Sequence, residues 1–356
     1  MPLLINNDVT RRVLDMGEAI VAMENVFRQY AQGRATFQSR TDLWSPTAKD
    51  GDFYRWGNLL GGMMDPPTLA LRFKSDILQW TEYSGARTEE WFCMEPGRYC
   101  GFIILIDMSN GEIIGLMNDG VLQHVRVGAT AGLGAKYLAR KDASVLGVIG
   151  SGGMARAYTE AINVVRKLEE VRVFSPTPAN REKFAEEIGA KLKVRVVTCE
   201  SARSAVQDVD MVATCTDSMF PVYTSDMLKI HKPGVFLVRV RHDEMDEATL
   251  HTVDKIFGND PERHTELIVG SPEQRAKRPS NKEYRRRYNF PAYPLLAKVI
   301  TGEIPGRESD TESIFYYNSS AGLQFAAVGR LVYERARAAN LGMPLPIDWF
   351  LQDIRN

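Results

Sequence analysis

Gly150, Gly152 and Ala155 form the pattern G-x-G-x-x-A directly after an apolar run, Val145 to Ile149. The residues that follow place Met154, Tyr158, Ala161, Val165 and Leu168 on one helical face. In a strand, loop and helix of this kind the first glycine permits a tight turn and the second lets the backbone approach a pyrophosphate. The small third residue lets the helix pack close to the strand. The amides of Gly150, Ser151, Gly152, Gly153 and Met154 are then expected to hold phosphates at a helix N-terminus. The chemistry implied is binding of a nicotinamide dinucleotide, and with it transfer of a hydride.

The next strand candidate, Val171 to Phe174, ends in Ser175, Pro176 and Thr177. NAD-binding chains usually carry there a carboxylate that accepts from the ribose hydroxyls. With Ser175 and Thr177 in its place and Arg181 nearby, the pattern favours NADP(H) over NAD(H), although Arg181 also fits an exposed helix residue. Thr214, Cys215 and Thr216 close the fourth strand candidate, on the edge of a parallel sheet that faces the cofactor. A capped strand end is the plain alternative for them.

Elements that position these residues follow from the hydrophobic rhythm. Apolar runs at 145–149, 171–174, 194–198, 211–215, 235–240 and 256–257 alternate with helical or turn material, as in a doubly wound parallel sheet. Before them, residues 18–33 read as an amphipathic helix. Residues 40–108 are irregular, with strand-like runs at 68–73 and 101–106, and 120–140 read as a helix rich in small residues. After a loop-rich stretch at 261–312, a last helix begins near Leu323. Because the alternation stops before that helix, the C-terminus is expected to return to the first domain. The expected organisation is α/β: a Rossmann domain at 126–312 and a discontinuous α+β domain at 1–125 and 313–356.

At 356 residues the chain is long enough for two hydrophobic cores. Its 44 basic and 45 acidic residues are mixed along the sequence, so no field suited to nucleic acid or anionic lipid is built. The run Arg285, Arg286, Arg287 reads as solvated surface or a subunit contact. Four cysteines lack metal-ligand spacing and are too few for a disulfide framework, which fits a reducing compartment, and no metal site is expected. No apolar run approaches membrane-spanning length, so a cytoplasmic location is the expectation.

Further motifs occur in a fixed order: GNLLGGMMDPPTLALRFKSD at 57–76, LIDMSNGEIIGLMNDGVLQHVRVGATAGLGAKYLAR at 105–140, GEIPGR at 302–307 and IFYYNSSAGLQFAAVGRLVYERA at 314–336. Taken with the nucleotide loop, they resemble the ornithine cyclodeaminase and μ-crystallin family, which includes ketimine reductases, amino-acid dehydrogenases and cyclodeaminases. The resemblance implies a homodimer and an active site in the cleft between a substrate and dimerisation domain and the Rossmann domain. It also implies that Lys74 contacts the substrate carboxylate and reacting centre, that Arg40 binds the carboxylate, that Arg126 contacts cofactor phosphate and that Ser320 helps hold the nicotinamide side. A guanidinium and an ammonium suit an α-imino carboxylate on physical grounds as well. By itself, a lysine in LALRFKSD reads as a surface strand residue, and Arg40 fits a surface ion pair equally well.

Departures from the family pattern separate three functions. Where cyclodeaminases have a glycine-rich turn with an acid/base aspartate, this chain reads VRVRHDEMDEATL, so that either His242 or Asp243 stands in that position. An insertion-like segment from Gln79 to Pro96 brings Trp80, Tyr83 and Trp91 next to the lysine, as pocket walls or as core or dimer packing. The leading expectation is an NAD(P)H-dependent reductase or dehydrogenase of a small imino or amino acid. The alternatives are an ornithine cyclodeaminase using NAD catalytically and a non-enzymatic NADP-dependent ligand-binding protein.

Overall fold

The computed structural model describes residues 1–49, 51–83, 86–241, 244–260, 265–276 and 292–354. His242, Asp243 and the run Arg285 to Arg287 lie outside the described residues.

The first part of the chain lays down β1 (Leu3–Ile5), α1 (Asn7–Val13), α2 (Met16–Ala31), β2 (Ala35–Pro46), β3 (Phe53–Met64), β4 (Pro67–Tyr83), β5 (Ala86–Phe92), β6 (Cys100–Asp107), β7 (Ile113–Asn118) and α3 (Gly120–Leu138). A second series follows: β8 (Val145–Ile149), α4 (Gly153–Val165), β9 (Glu170–Phe174), α5 (Pro178–Leu192), β10 (Arg195–Thr198), α6 (Ala202–Val206), β11 (Met211–Thr214), β12 (Phe236–Arg239), α7 (Glu247–Thr252) and β13 (Lys255–Gly258). The described chain closes with β14 (Thr265–Ile268), α8 (Pro272–Ala276), α9 (Leu296–Ile300), β15 (Ile314–Tyr317), α10 (Gly322–Ala338) and β16 (Met343–Pro344).

These strands form two sheets. The second has the order β10-β9-β8-β11-β12-β15-β13, and every pairing in it is parallel. Strand order reverses between β8 and β11, which opens a crevice at their carboxyl ends where α/β proteins bind ligands. Strands buried on both faces need unbroken apolar sequence, and β11, β12 and β15 are buried at every position. The expected parallel sheet is therefore present, with strand limits within two residues of those read from the sequence.

The first sheet runs β14-β2-β3-β4-β6-β7-β1-β16, with β5 added to β4. Here the structure departs from the irregular stretch expected over 40–108, because β2, β3 and β4 are long strands of 12, 12 and 17 residues. One edge of β4 pairs with β3 throughout, while its other edge pairs first with β6 and then with β5. The insertion-like segment is this β4–β5 hairpin. Two other pairings differ from the expected limits at 126, 312 and 313. Ile314–Tyr317 belongs to the parallel sheet, and Thr265–Ile268 leaves it to pair with β2. Both are four-residue strands, too short to carry a period of their own.

Helix α3 joins the two halves. Its small residues are explained by its contact with α4, since a Cβ at Gly128 or Gly132 would lie 2.6 or 2.9 Å from the carbonyl oxygens of Ala157 and Ala161. That close crossing fixes the nucleotide loop against the helix that carries Arg126.

Candidate active site between the two sheets

At the turn after β8, Gly150 has φ +109°, and a Cβ there would sit 2.2 Å from the Cys215 carbonyl oxygen. Only glycine fits that position, because the backbone conformation and the neighbouring strand end both exclude a side chain. Gly152 is the N-cap of α4, makes no side-chain capping bond, and would meet nothing within 4 Å if it carried a Cβ. The Gly150 amide, expected to hold phosphate, is instead given to the Phe174 carbonyl at 2.8 Å, whereas the first amides of α4, without a protein acceptor among the described residues and facing open space over a glycine, fit a pyrophosphate. Gly153 lies against the His124 imidazole, Met154 packs partly on the core, and Ala155 is fully buried. The Ser151 carbonyl accepts from Arg156.

Beyond β9, Ser175 is buried and Thr177 is the N-cap residue of α5. Arg181 is not an exposed helix residue. Its guanidinium turns back to donate to the Ser175 carbonyl at 3.1 Å and to pair with the exposed Glu200 at 2.6 Å. Thr214 and Cys215 are buried, and burial drives the Cys215 thiol well above its ordinary pKa.

The ends of β11 and β12 are joined by a carboxylate absent from the sequence reading. Glu244 is fully buried and accepts from the amides of Val240 at 2.9 Å, Arg241 at 2.7 Å and Thr216, and from the Thr214 hydroxyl at 3.2 Å. Burial raises its pKa, and these donors oppose that rise. No periodicity marks it in the sequence. Glu244→Ala strands the amides of Arg241 and Thr216 and the Thr214 hydroxyl, while the Val240 amide keeps the Thr214 carbonyl at 3.0 Å, so about 3 kcal/mol of stability should be lost at roughly 1 kcal/mol or more for each unpaired group. Urea unfolding is the check, and a change below about 0.5 kcal/mol contradicts the clasp.

Lys74 stands on β4 between two glycines on neighbouring strands, Gly57 of β3 and Gly101 of β6. Cross-strand neighbours share a face of the sheet, so the missing side chains clear space on either side of the ammonium. Carboxylates enter that space. A Cβ at Gly101 would fall 2.0 Å from Asp119 Oδ1, and one at Gly57 would fall 2.8 Å from Asp42 Oδ1 and 3.3 Å from Arg40 Nη2. Arg40 itself bonds Asp42 through Nε at 2.8 Å and reaches over Gly57, the cross-strand neighbour of the lysine. The ammonium of Lys74 lies 3.0 Å from Asp76, whose other oxygen accepts from Arg55 at 2.8 Å. Burial lowers the Lys74 pKa to about 8, Asp76 opposing and Arg55 and Arg72 assisting.

Arg72, one alternation earlier on the same face, is buried on Asp119 at 2.5 and 2.8 Å. The side chain of Phe325 from α10 separates it from Arg126, with the guanidinium centres 5.5 and 4.6 Å from the ring centroid. Arg126 is fully buried and has no acid partner among the bonds described. It donates to Gln324 at 2.5 Å, Ser320 at 2.9 Å and Gln123 at 2.8 Å. Burial, together with repulsion from Arg72 and Arg40, lowers its pKa. Arg40, Lys74, Arg126 and Ser320 therefore gather around one region. Arg55, Arg72, Asp76, Asp119 and Glu244 complete it and were missed. For the β4 residues a signal was present, since Arg72, Lys74 and Asp76 alternate with Phe73, Ser75 and Ile77.

The β4–β5 hairpin ties this region to the parallel sheet. Arg241, just beyond β12, bonds Glu89 at 3.0 Å, and Thr88 bridges to Ser218 in the loop after β11. Of the aromatics expected there, Trp80 and Trp91 both pack against Trp44, Phe53 and Leu78, and the Trp91 ring centroid also lies 4.5 Å from the Lys74 ammonium. Among the described residues no cluster of three or more His, Cys, Asp or Glu side chains suits a metal, and no helix is long and apolar enough to cross a membrane.

The sequence model of the ornithine cyclodeaminase/mu-crystallin family matches residues 3–340. The Delta(1)-pyrroline-2-carboxylate reductase of Bacillus cereus is 27% identical over 247 residues, covering 68% of this chain and 73% of the relative. The alanine dehydrogenase of Archaeoglobus fulgidus is 25% identical over 364 residues, covering 96% and 97%. Among solved structures, the Delta(1)-pyrroline-2-carboxylate reductase of Thermococcus litoralis, in complex with NADH and L-proline, superposes with a TM-score of 0.76 at 25% identity. That alignment covers 96% of this chain and all of the other.

Proposed function

The chain belongs to the ornithine cyclodeaminase/mu-crystallin family, and from that premise we propose that it reduces a small α-imino acid to the α-amino acid. It is a nicotinamide-dependent oxidoreductase acting on carbon–nitrogen bonds. The observation that carries the imine reading is the buried ammonium of Lys74, held between Asp76 and the two glycine gaps and flanked by Arg40. A reduced nicotinamide, when bound, supplies a hydride. The residues of the chain do the rest. Arg40 and Lys74 bind the carboxylate, and the Lys74 ammonium stabilises and protonates the nitrogen as it becomes an amine. Arg126, without an acid partner among those bonds, offers its charge to cofactor phosphate, and Ser320 is held beside it. His242 or Asp243 completes the acid/base chemistry.

Purified protein supplied with α-keto acids and amines, or with cyclic imino acids, should consume NADPH or NADH. A broad panel that leaves both cofactors unchanged removes the reading. Proline and ammonia formed from ornithine without net nicotinamide change would replace it with cyclodeamination.

NADP(H) is the preferred cofactor. The support is a strand end that carries Ser175 and Thr177 in place of a carboxylate, with Arg181 on the adjoining helix. Arg181 is drawn to Ser175 and Glu200, and a 2′-phosphate would compete for it. Ser175→Asp should weaken NADPH by about tenfold or more through charge repulsion and leave NADH little changed. Fluorescence titration measures both, and equal effects contradict the assignment.

The working form is a homodimer joined through the outer face of the first sheet. Leu60, Leu71, Ile104 and Leu116 lie side by side across four strands of that face, beside the Phe73–Phe102 pair at 5.7 Å, and all are only partly covered. An apolar surface of this extent marks an interface. Leu71→Asp should yield monomers by light scattering, whereas a monomeric wild type overturns the assignment.

A further inference from the structure

We infer that Trp91 and the cations around it restrict the substrate to α-imino and α-amino acids with uncharged side chains, excluding those that carry a second ammonium. This rests on the reductase reading for the chemistry, but the selection itself is a property of the pocket. Three cations surround one indole: Arg55 at 4.0 Å, Lys74 at 4.5 Å and Arg241 at 5.7 Å from the ring centroid. Two carboxylates answer them. Asp76 is shared by Arg55 and Lys74, and Glu89 is taken by Arg241.

One positive charge in this group is thus left over among the described residues, and the substrate carboxylate offsets it. Among the described residues a second ammonium on the substrate would find no free acid, and it would face the same three cations. Asp217 and Glu90, which also act on the neighbouring Tyr99, are exposed to water, where their pull is screened.

The same residues favour an apolar chain. Lys74 is nearly enclosed, so a side chain on the carbon it faces runs against Trp91, with Tyr99 beyond it at 5.1 Å from the ammonium. Among the described residues the Trp91 Nε1 is buried with no partner, and so is Arg55 Nε. The cations hold the ring from its π face, and the hairpin carries it across the gap between the sheets. Nothing in this arrangement rewards a charged tail, and specificity here comes from the repulsive element.

L-Norleucine and L-ornithine test this directly, because a terminal methyl in one replaces the terminal ammonium in the other. Protein loaded with NADP+ should bind norleucine at least about tenfold more tightly by calorimetry, and should oxidise it with a correspondingly higher kcat/KM. Arg241→Gln removes one of the three charges and should narrow the ratio severalfold. Ornithine bound as tightly as norleucine, binding of neither, or a ratio that Arg241→Gln leaves unmoved overturns the inference. Preferential norleucine binding without any nicotinamide reduction supports the pocket assignment and overturns the reductase reading instead.

Discussion

Replacing Lys74 with methionine lowers kcat/KM for imine reduction by about a thousandfold, while folding and nucleotide affinity persist. Methionine keeps the length and apolar stem of lysine, so the strand and its neighbours retain their packing. What disappears is the one ammonium between Gly57 and Gly101, and with it the proton that the proposed reaction gives to the nascent amine. Asp76 keeps Arg55 as a partner and is not left as an isolated buried charge. A variant with more than about a tenth of wild-type kcat/KM removes Lys74 from the chemistry.

The lysine also sets a pH dependence whose sign follows from burial. Desolvation disfavours the ammonium and brings its pKa to about 8. In the proposed reaction the protonated form is the required one, so kcat/KM should hold level below about pH 8 and fall as pH rises through that value. Asp76 stabilises the ammonium, and Asp76→Asn should move the inflection to lower pH. An alkaline limb that stays in place in this variant assigns it to another group.

A second large effect is expected at the nucleotide loop. Gly152→Asp should weaken NADPH and NADH by about a hundredfold or more, because a carboxylate would occupy the place of the pyrophosphate and repel it. The fold has no objection to the change. Gly152 has an ordinary negative φ of −79°, open space where a Cβ would project, and an N-cap position that favours aspartate. Thermal unfolding should therefore stay level or rise while affinity collapses. Retained affinity in a stable variant would place the phosphates elsewhere. Gly150→Asp makes a poor substitute, because φ +109° and the Cys215 carbonyl would penalise folding as well.

How much of this was legible depended on how far each pattern stayed local. The nucleotide loop needs a strand, three small residues and an amphipathic helix in one continuous segment, and all are adjacent in the sequence. The central parallel strands β8, β11 and β15 announce themselves because burial on both faces leaves them almost uniformly apolar. The first sheet hid its strands for the opposite reason. Its inner face buries Arg55, Arg72 and Asp76 and mostly covers Lys74 among glycines, so the expected contrast of apolar and polar positions is inverted along β3 and β4. Asp119 and Glu244 were illegible because their partners are remote. Asp119 serves Arg72 across 47 positions, and Glu244 serves Thr214 across 30. Arg181 was found by position, but its inward turn to Ser175 had no counterpart in residue spacing.

Hydride delivery to a carbon facing Lys74 is the claim on which the account depends. The measurement that tests it most directly uses reduced nicotinamide carrying deuterium at its reactive carbon, an α-imino acid as acceptor, and mass spectrometry of the amino acid formed. One deuterium at the α-carbon per nicotinamide oxidised is the predicted result, lost in Lys74→Met. An amino acid product without deuterium, or ammonia released with no net change in the nicotinamide, would contradict it.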